Sequence, residues 1–109
     1  MKKIFLLVAI LLVACSKKNL TAEDFEKIGF TKSSQPLFQM VGAMDGWKGK
    51  FNETSVEIYF YENSSKIPKE QLENIVKKGD SSKLCTVANV AVLDHGGGAF
   101  CTEVMSKLN

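Results

Sequence analysis

The sequence predicts a small α+β domain in which a mainly antiparallel sheet of about three strands is packed with helices. Apolar and polar residues alternate along residues 47–51 and again along residues 56–61, as they do in strands with one covered face. Apart from Thr86 and Asn89, residues 84–93 are apolar on both parities, which is typical of a strand covered on both sides. Residues 100–108 repeat apolar side chains at helical spacing, so helices and strands together indicate a layered α+β architecture.

The first predicted helix begins after Thr21. A threonine followed by Asp24 three residues later is typical of a helix N-terminus. Leu20, just before the helix, is placed to pack against Phe25. Gly29 is expected to end this short helix.

A second short helix is predicted after Pro36, because proline suits a first helical turn. Leu37, Phe38 and Val41 share a helical face. Phe38 and Met40 also alternate as strand residues do, so the strand interpretation stays open for this segment.

A β-hairpin is predicted after Asp45-Gly46, which is a turn signal. Its strands cover residues 47–51 and 56–61, and the polar run 52–55 joins them. Alternation predicts five core-facing residues, namely Trp47, Phe51, Val56, Ile58 and Phe60. The opposite face then carries Lys48, Lys50, Glu57, Tyr59 and Tyr61.

Two more helices and a central strand complete the predicted domain. A helix is predicted to begin at Pro68 and to end at Gly79, with a narrow apolar stripe along one face. Residues 84–93 form the central strand, residues 94–98 turn the chain, and a terminal amphipathic helix follows. The apolar face of that helix carries Phe100, Cys101, Val104, Met105 and Leu108.

The first fifteen residues have the pattern of an export signal. Lys2 and Lys3 precede an apolar run, Ile4 to Val13, that is too short to span a bilayer comfortably. The closing Leu12-Val13-Ala14-Cys15 resembles the lipobox of bacterial lipoprotein precursors. The resemblance covers the export signal only. An ordinary secretory signal that happens to lie near a cysteine is the alternative.

This resemblance implies that Cys15 is the lipidation site, with a diacylglyceryl group on its thiol and a further acyl chain, such as palmitate, on its amine. Residues 1–14 would be a cleaved signal peptide. Residues 15–19 would form a lipidated tether that reaches at most about 17 Å. Residues 20–109 would form a single small α+β domain. No cofactor is expected apart from the covalent lipid.

The resemblance also places the domain in the cell envelope, with the membrane as a partner through the N-terminal lipid. In Gram-negative lipoproteins, an aspartate after the acylated cysteine resembles an inner-membrane retention signal, and Ser16 stands there instead. We therefore expect the periplasmic face of the outer membrane if the cell is Gram-negative. In a Gram-positive cell we expect the outer face of the cell membrane.

Charge and composition argue against a nucleic-acid partner. The chain has 14 basic and 12 acidic residues, but Lys2 and Lys3 belong to the export signal, so the mature chain carries no net charge. Every basic residue is a lysine. The chain therefore lacks the guanidinium fork that contacts phosphates and guanine edges at two points.

Cys85 and Cys101 are the cysteines that remain beyond Cys15. Because an exported domain folds in an oxidising compartment, we expect them to form a disulfide that pins the terminal helix onto the sheet. A redox pair or a pair of metal ligands is the alternative. There is no Cys-x-x-Cys motif and His95 is the sole histidine, so no metal site is predicted.

Residues 95–98 spell the His-Gly-Gly-Gly signature that supplies oxyanion-hole amides in lipase-like hydrolases. No Gly-x-Ser-x-Gly elbow accompanies it, and the chain is short for that fold, so no catalytic residue is assigned. The loop of His95, Gly96, Gly97 and Gly98 is instead a candidate anion-binding nest at the start of the last helix. A flexible turn is the plain alternative.

The most suggestive surface joins Tyr59 and Tyr61 to Lys48 and Lys50. Amphipathic aromatic side chains beside lysines on an uncovered sheet face are typical of a contact surface. Its partner would be an unknown envelope protein, a peptide or a glycan. If helices cover both faces of the sheet, the tyrosines are buried instead.

Together these features predict a small lipid-anchored envelope protein that acts by non-catalytic binding, for example as an inhibitor or an assembly factor. The first alternative is a small enzyme that uses Asp94, His95 and the glycine loop. The second is a structural lipoprotein that links the membrane to the cell wall.

Overall fold

The structure is a computed structural model that describes residues 19–77 and 82–109. In these residues the backbone forms a five-stranded antiparallel sheet with helices against both of its faces. The strands lie in the order β1-β2-β3-β5-β4. Their bounds are Thr31–Ser34 (β1), Asp45–Phe51 (β2), Thr54–Phe60 (β3), Lys83–Val87 (β4) and Val90–Asp94 (β5). The α-helices are Ala22–Glu26 (α1), Lys69–Lys77 (α2) and Ala99–Lys107 (α3), and 3₁₀ helices cover Phe38–Val41 and Ser64–Lys66.

The α+β class and the antiparallel arrangement are confirmed, whereas the expected number of about three strands is too low. The predicted central strand over residues 84–93 is in fact a hairpin, since Val87 pairs with Val90 and the chain reverses between them. Ala88 adopts a positive φ of 50° in this turn. Asn89 completes the turn, but no glycine or proline marks it in the sequence. Most residues of the two strands are apolar because both sheet faces are covered.

The second additional strand is β1. All four of its residues are exposed, so the sequence has no alternation of apolar and polar residues here that would predict a strand. Its register against β2 shifts between Lys32 and Ser34, which indicates a bulge. β1 is an edge strand, and short, polar and irregular strands are common at sheet edges.

The predicted hairpin of β2 and β3 is confirmed, with a tighter turn than the polar run 52–55 suggested. Phe51 pairs with Thr54, so Asn52 and Glu53 alone form the turn. Their φ angles are 50° and 72°. Two consecutive positive φ angles are typical of the turns whose twist matches that of the flanking strands.

The predicted helix after Thr21 is confirmed as α1, and the Asp24 carboxylate accepts a hydrogen bond from the Thr21 amide at 2.9 Å. The segment after Pro36 is helical as predicted, but as a 3₁₀ helix that ends at Gly42 with a φ of 73°. α2 begins one residue after Pro68, and its predicted end at Gly79 lies outside the described residues.

Two apolar layers flank the sheet. On one face, called here the α3 face, side chains of α1 and α3 pack against the sheet, with a core of Phe25, Phe30, Val56, Ile58, Phe60, Val87, Val90, Val92, Phe100, Cys101 and Val104. On the other, the α2 face, the buried cluster comprises Ala43, Tyr59, Tyr61, Ile67, Leu72, Ala91 and Leu93. The sheet is therefore the middle layer of the domain.

The predicted disulfide between Cys85 and Cys101 is confirmed, with the two Sγ atoms bonded and the Cα atoms 6.0 Å apart. Cys85 lies in β4 and Cys101 in the first half of α3. The bond therefore holds the terminal helix against the sheet, as predicted, although β4 is an edge strand and the prediction placed Cys85 on the central one.

Candidate functional site

The α2 face of the sheet is covered along only part of its length. Lys48 pairs with Glu57 and Lys50 pairs with Ser55 across β2 and β3, and all four side chains share this face with Tyr59 because they occupy alternate positions. Lys48, Lys50 and Ser55 are exposed, whereas Tyr59 is buried. The face is thus open where β2 turns into β3, and this open part is the candidate site.

Tyr59 and Tyr61 lie in the covered part and belong to the core. They are 5% and 2% exposed, and they pack in one cluster with Leu72 of α2. The expected contact surface of Lys48, Lys50, Tyr59 and Tyr61 is therefore corrected to the two lysines alone. The tyrosines are buried because the first 3₁₀ helix and α2 cover their end of the sheet.

Both buried phenols make hydrogen bonds inside the domain. The Tyr61 hydroxyl donates to the carbonyl oxygen of Val41 at 2.9 Å, and burial raises the pKa of Tyr61 to about 12. The Tyr59 hydroxyl donates to a carboxylate oxygen of Glu57. Burial, followed by this hydrogen bond and the charge of Glu57, raises the pKa of Tyr59 well above its usual range.

A chain of hydrogen bonds crosses three strands beside the lysines. His95 follows β5 and lies between Ser82, just before β4, and Glu57 on β3. Its Nδ1 atom is 2.8 Å from the Ser82 hydroxyl, and its Nε2 atom is 2.9 Å from a Glu57 carboxylate oxygen. Since Glu57 also accepts from Tyr59, four side chains form one continuous network.

This network has the composition of a serine–histidine–carboxylate triad. When Nε2 of His95 carries the proton, its N–H donates a hydrogen bond to Glu57, and Nδ1 accepts one from the Ser82 hydroxyl. An imidazole held in this way is oriented to take the serine proton. The sequence did not reveal the network, because its members are far apart along the chain and no motif connects Ser82 or Glu57 with His95.

The glycine loop is occupied by the protein's own carboxylate. Asp94 is fully buried. One of its oxygens accepts from the Gly96 amide at 2.8 Å, and the other accepts from the amides of Phe100 and Cys101 at 2.8 and 3.1 Å. These are the first-turn amides of α3, the donors that an external anion at this helix end would need.

The proposed anion nest of His95, Gly96, Gly97 and Gly98 is corrected accordingly, because Asp94 caps the helix from within. The loop also packs closely on β3. A Cβ atom added to Gly96 would lie 1.9 Å from the Cγ2 atom of Thr54. The glycines thus serve the tight return of the chain onto α3.

An open cleft of about 370 Å³ lies over the uncovered part of the α2 face. Its polar lining comes from three neighbouring strands and the loop after β5, and includes Ser34, Lys48, Lys50, Ser55, Glu57 and His95. Among the described residues, Glu57 pairs with His95 and no salt bridge involves either lysine. Because the Glu57 oxygens are taken by His95 and Tyr59, the two ammonium groups remain available to an anionic group.

Within residues 19–77 and 82–109, no group of three or more histidine, cysteine, aspartate or glutamate side chains is arranged to hold a metal ion. In the same ranges, no helix combines the length and the apolar character needed to cross a bilayer. The predicted lipidation site Cys15 and the signal residues 1–14 lie outside the described residues.

No protein-family model, curated protein or solved structure matches this chain.

Proposed function

We propose that this chain is a small lipid-anchored protein of the bacterial envelope that acts by non-catalytic binding, and that its cleft holds a carboxylate-bearing segment of a partner protein. The observation that carries the proposal is the pair Lys48 and Lys50, exposed side by side on β2 without a salt-bridge partner among the described residues. Two ammonium groups in a polar cleft favour an acidic ligand.

The edge strand β1 borders this cleft and supports a peptide or protein ligand. Among residues 19–77 and 82–109, β1 pairs with β2 alone, so one row of its backbone amides and carbonyls faces outward. An extended segment that adds to this edge would run past Lys48 and Lys50 on the neighbouring strand. Main-chain hydrogen bonds would then supply affinity, and the lysines would select acidic side chains.

The anchor is proposed at Cys15, on the resemblance of Leu12-Val13-Ala14-Cys15 to a lipobox. The disulfide between Cys85 and Cys101 supports an exported domain, because such bonds persist in oxidising compartments. The proposed location of the domain depends on the cell type. In a Gram-negative cell it is the periplasmic face of the outer membrane. In a Gram-positive cell it is the outer face of the cell membrane.

Lipidation is tested by feeding radiolabelled palmitate to bacteria that express the full chain. The wild type should incorporate label and sediment with membranes, whereas Cys15→Ser should do neither. A wild-type protein that is exported without label would refute the lipid anchor and would support an ordinary secretory signal.

Binding is tested by crosslinking the lipidated protein in bacterial membranes and identifying its neighbours by mass spectrometry. The variant Lys48→Glu/Lys50→Glu reverses the charge of the cleft, and Lys27→Glu/Lys66→Glu makes the same change at two exposed lysines elsewhere. A neighbour lost only from the cleft variant supports the proposal. Identical neighbours for all three proteins would contradict it.

The same adducts separate the partner classes. An adduct that yields peptides of a second protein identifies a protein partner, and one shortened by a muramidase identifies a cell-wall glycan. If the wild type and the cleft variant sediment equally with purified cell wall, the result would favour a structural lipoprotein that links membrane and wall.

A hydrolytic enzyme is the second candidate, favoured by the Ser82–His95–Glu57 network. In this version Glu57 orients His95, and Asp94 does not, because Asp94 caps α3. Its test is labelling by a fluorophosphonate and hydrolysis of a p-nitrophenyl ester. Loss of both in Ser82→Ala and in His95→Ala would establish the enzyme over the binder, and wild-type protein without either would dismiss it.

A further inference from the structure

Three large apolar side chains protrude from one short segment around the first 3₁₀ helix. Leu37, Met40 and Met44 are 72%, 72% and 65% exposed. The remaining exposed large hydrophobic side chains among the described residues, Ile75 and Met105, are 43% and 40% exposed. The segment 37–44 is thus the most exposed apolar surface in the described part of the chain.

This apolar surface is held firmly to the sheet. Phe38 and Val41 of the same 3₁₀ helix pack against the α2-face cluster, and the Met44 amide donates to the Phe60 carbonyl at 2.8 Å. The outward side chains therefore project from a fixed base, and their exposure is not the result of a loose loop.

The apolar surface lies at the same end of the sheet as the start of the described chain. The Asn89 side chain accepts from the Leu20 amide at 2.7 Å and donates to the Tyr61 carbonyl at 3.1 Å. The Tyr61 hydroxyl in turn donates to the Val41 carbonyl. Asn19 is also held at this end, where its side chain donates to the Glu62 carbonyl at 3.1 Å.

We propose that Leu37, Met40 and Met44 rest in the membrane surface to which Cys15 is anchored. The proposal rests on the proposed lipidation of Cys15. Residues 15–19 span at most about 17 Å, so a lipidated Cys15 holds this end of the sheet close to the bilayer. Exposed leucine and methionine side chains at that distance are suited to the boundary between headgroups and acyl chains.

This contact sets the orientation of the domain. Lys50 and Ser55 lie at the opposite end of the sheet, next to the Asn52–Glu53 turn. With the apolar surface on the membrane, the cleft points away from the bilayer toward partners in the envelope. A lipid alone would tether the domain, whereas lipid and apolar contacts together also orient it.

The test places one fluorophore on the lipidated full chain. Cys15 carries the lipid and Cys85 is bonded to Cys101, so a cysteine introduced by Met40→Cys is the one thiol left to label with an environment-sensitive dye. Met44→Cys gives a second position on the surface. Thr31→Cys, an exposed site at the opposite end of the sheet, is the matched control.

Each labelled protein is reconstituted in vesicles of phosphatidylethanolamine and phosphatidylglycerol, with and without brominated acyl chains. We expect bromine to quench the dye at positions 40 and 44 and to leave position 31 unquenched. Equal emission at position 40 in both vesicle types, with the protein still bound, would overturn the membrane contact and leave lipidation intact. If bromine does not quench position 40, and the dye there becomes shielded from water only when envelope protein is added, the surface belongs to a protein partner instead. Protein that does not bind vesicles and lacks the acyl mass would overturn both the contact and the proposed anchor.

Discussion

The carboxylate of Asp94, the last residue of β5, accepts a hydrogen bond from the amide of Phe100 in the first turn of α3 at 2.8 Å. Both residues are fully buried. The side chain that closes a strand therefore also begins the next helix, with glycines alone between His95 and Ala99. The charge is satisfied by three backbone amides, which is why a buried carboxylate is tolerated at this point.

We predict that Asp94→Asn lowers the free energy of unfolding by about 2–3 kcal/mol. An asparagine keeps one acceptor oxygen but turns its NH₂ group toward a backbone donor, and it loses the charge that favours the helix N-terminus. Urea unfolding followed by Trp47 fluorescence measures the change. Asp45→Asn is the control, because within the described part of the chain the Asp45 side chain accepts a hydrogen bond from exposed Gln35 alone. It should change stability by less than about 0.5 kcal/mol. Equal effects of the two substitutions would refute the capping role of Asp94.

We predict that Cys85→Ser/Cys101→Ser destabilises the domain by about 3 kcal/mol, the value expected for a closed loop of this length. The bond joins β4 to α3, so its loss frees the terminal helix from the sheet edge. Urea unfolding of the variant and of the reduced wild type should agree. A reduced wild type as stable as the oxidised protein would contradict a stabilising disulfide.

We predict that neither tyrosine ionises at its ordinary pKa of 10.0 while the domain is folded. Burial raises the pKa of Tyr61 to about 12 and shifts Tyr59 upward as well. Below pH 10 both states keep the phenol protons, so these groups leave stability unchanged. Above pH 10 the unfolded chain releases protons that the folded chain retains, so the free energy of unfolding falls as pH rises toward 12.

Absorbance at 295 nm, read milliseconds after a pH jump, measures this phenolate formation. The urea-unfolded protein is the reference and should titrate near pH 10. Phenolate absorbance at pH 10.5 equal to that of the urea-unfolded reference, with unchanged far-ultraviolet circular dichroism, would show that the tyrosines are exposed.

We predict that Glu53→Gly stabilises the domain by about 1 kcal/mol. Glu53 has a φ of 72° in the two-residue turn between β2 and β3, where glycine avoids the cost of a left-handed conformation and completes a favoured Asn-Gly turn. Thermal unfolding measures the gain. Glu62 is also exposed but does not have a positive φ angle, so Glu62→Gly should not stabilise the domain. A lower melting temperature for Glu53→Gly would contradict the turn geometry.

The sequence was informative where local chemistry decides the structure. The Thr21–Asp24 pair predicted α1, alternation predicted the β2–β3 hairpin, and the remaining two cysteines predicted the disulfide. It failed at residues 84–93, because a largely apolar run has no alternation to reveal a break. Asn89 is the one turn-forming residue type in that run, and no glycine or proline accompanies it. β1 was missed for the opposite reason, since an exposed polar edge strand has no apolar pattern at all.

The candidate site was predicted in part. Alternation correctly placed Lys48, Lys50 and Glu57 on one face of the sheet, but it cannot say which part of that face a helix covers, so the burial of Tyr59 stayed an open alternative. The contact of His95 with Glu57 depends on β5 pairing with β3. That pairing follows from the hairpin at Ala88 and Asn89, where Asn89 was the sole turn signal in the local sequence.

The most direct test of the binding account is site-specific photocrosslinking from the cleft in living cells. A photoreactive amino acid at Ser34, an exposed residue that lines the cleft, leaves both lysines in place. One at Thr102, exposed on α3, is the control. We predict one discrete protein adduct from position 34 that is lost with Lys48→Glu/Lys50→Glu and kept with Lys27→Glu/Lys66→Glu. No adduct from position 34, or an adduct that survives reversal of the cleft charge, would contradict binding of an acidic partner through Lys48 and Lys50.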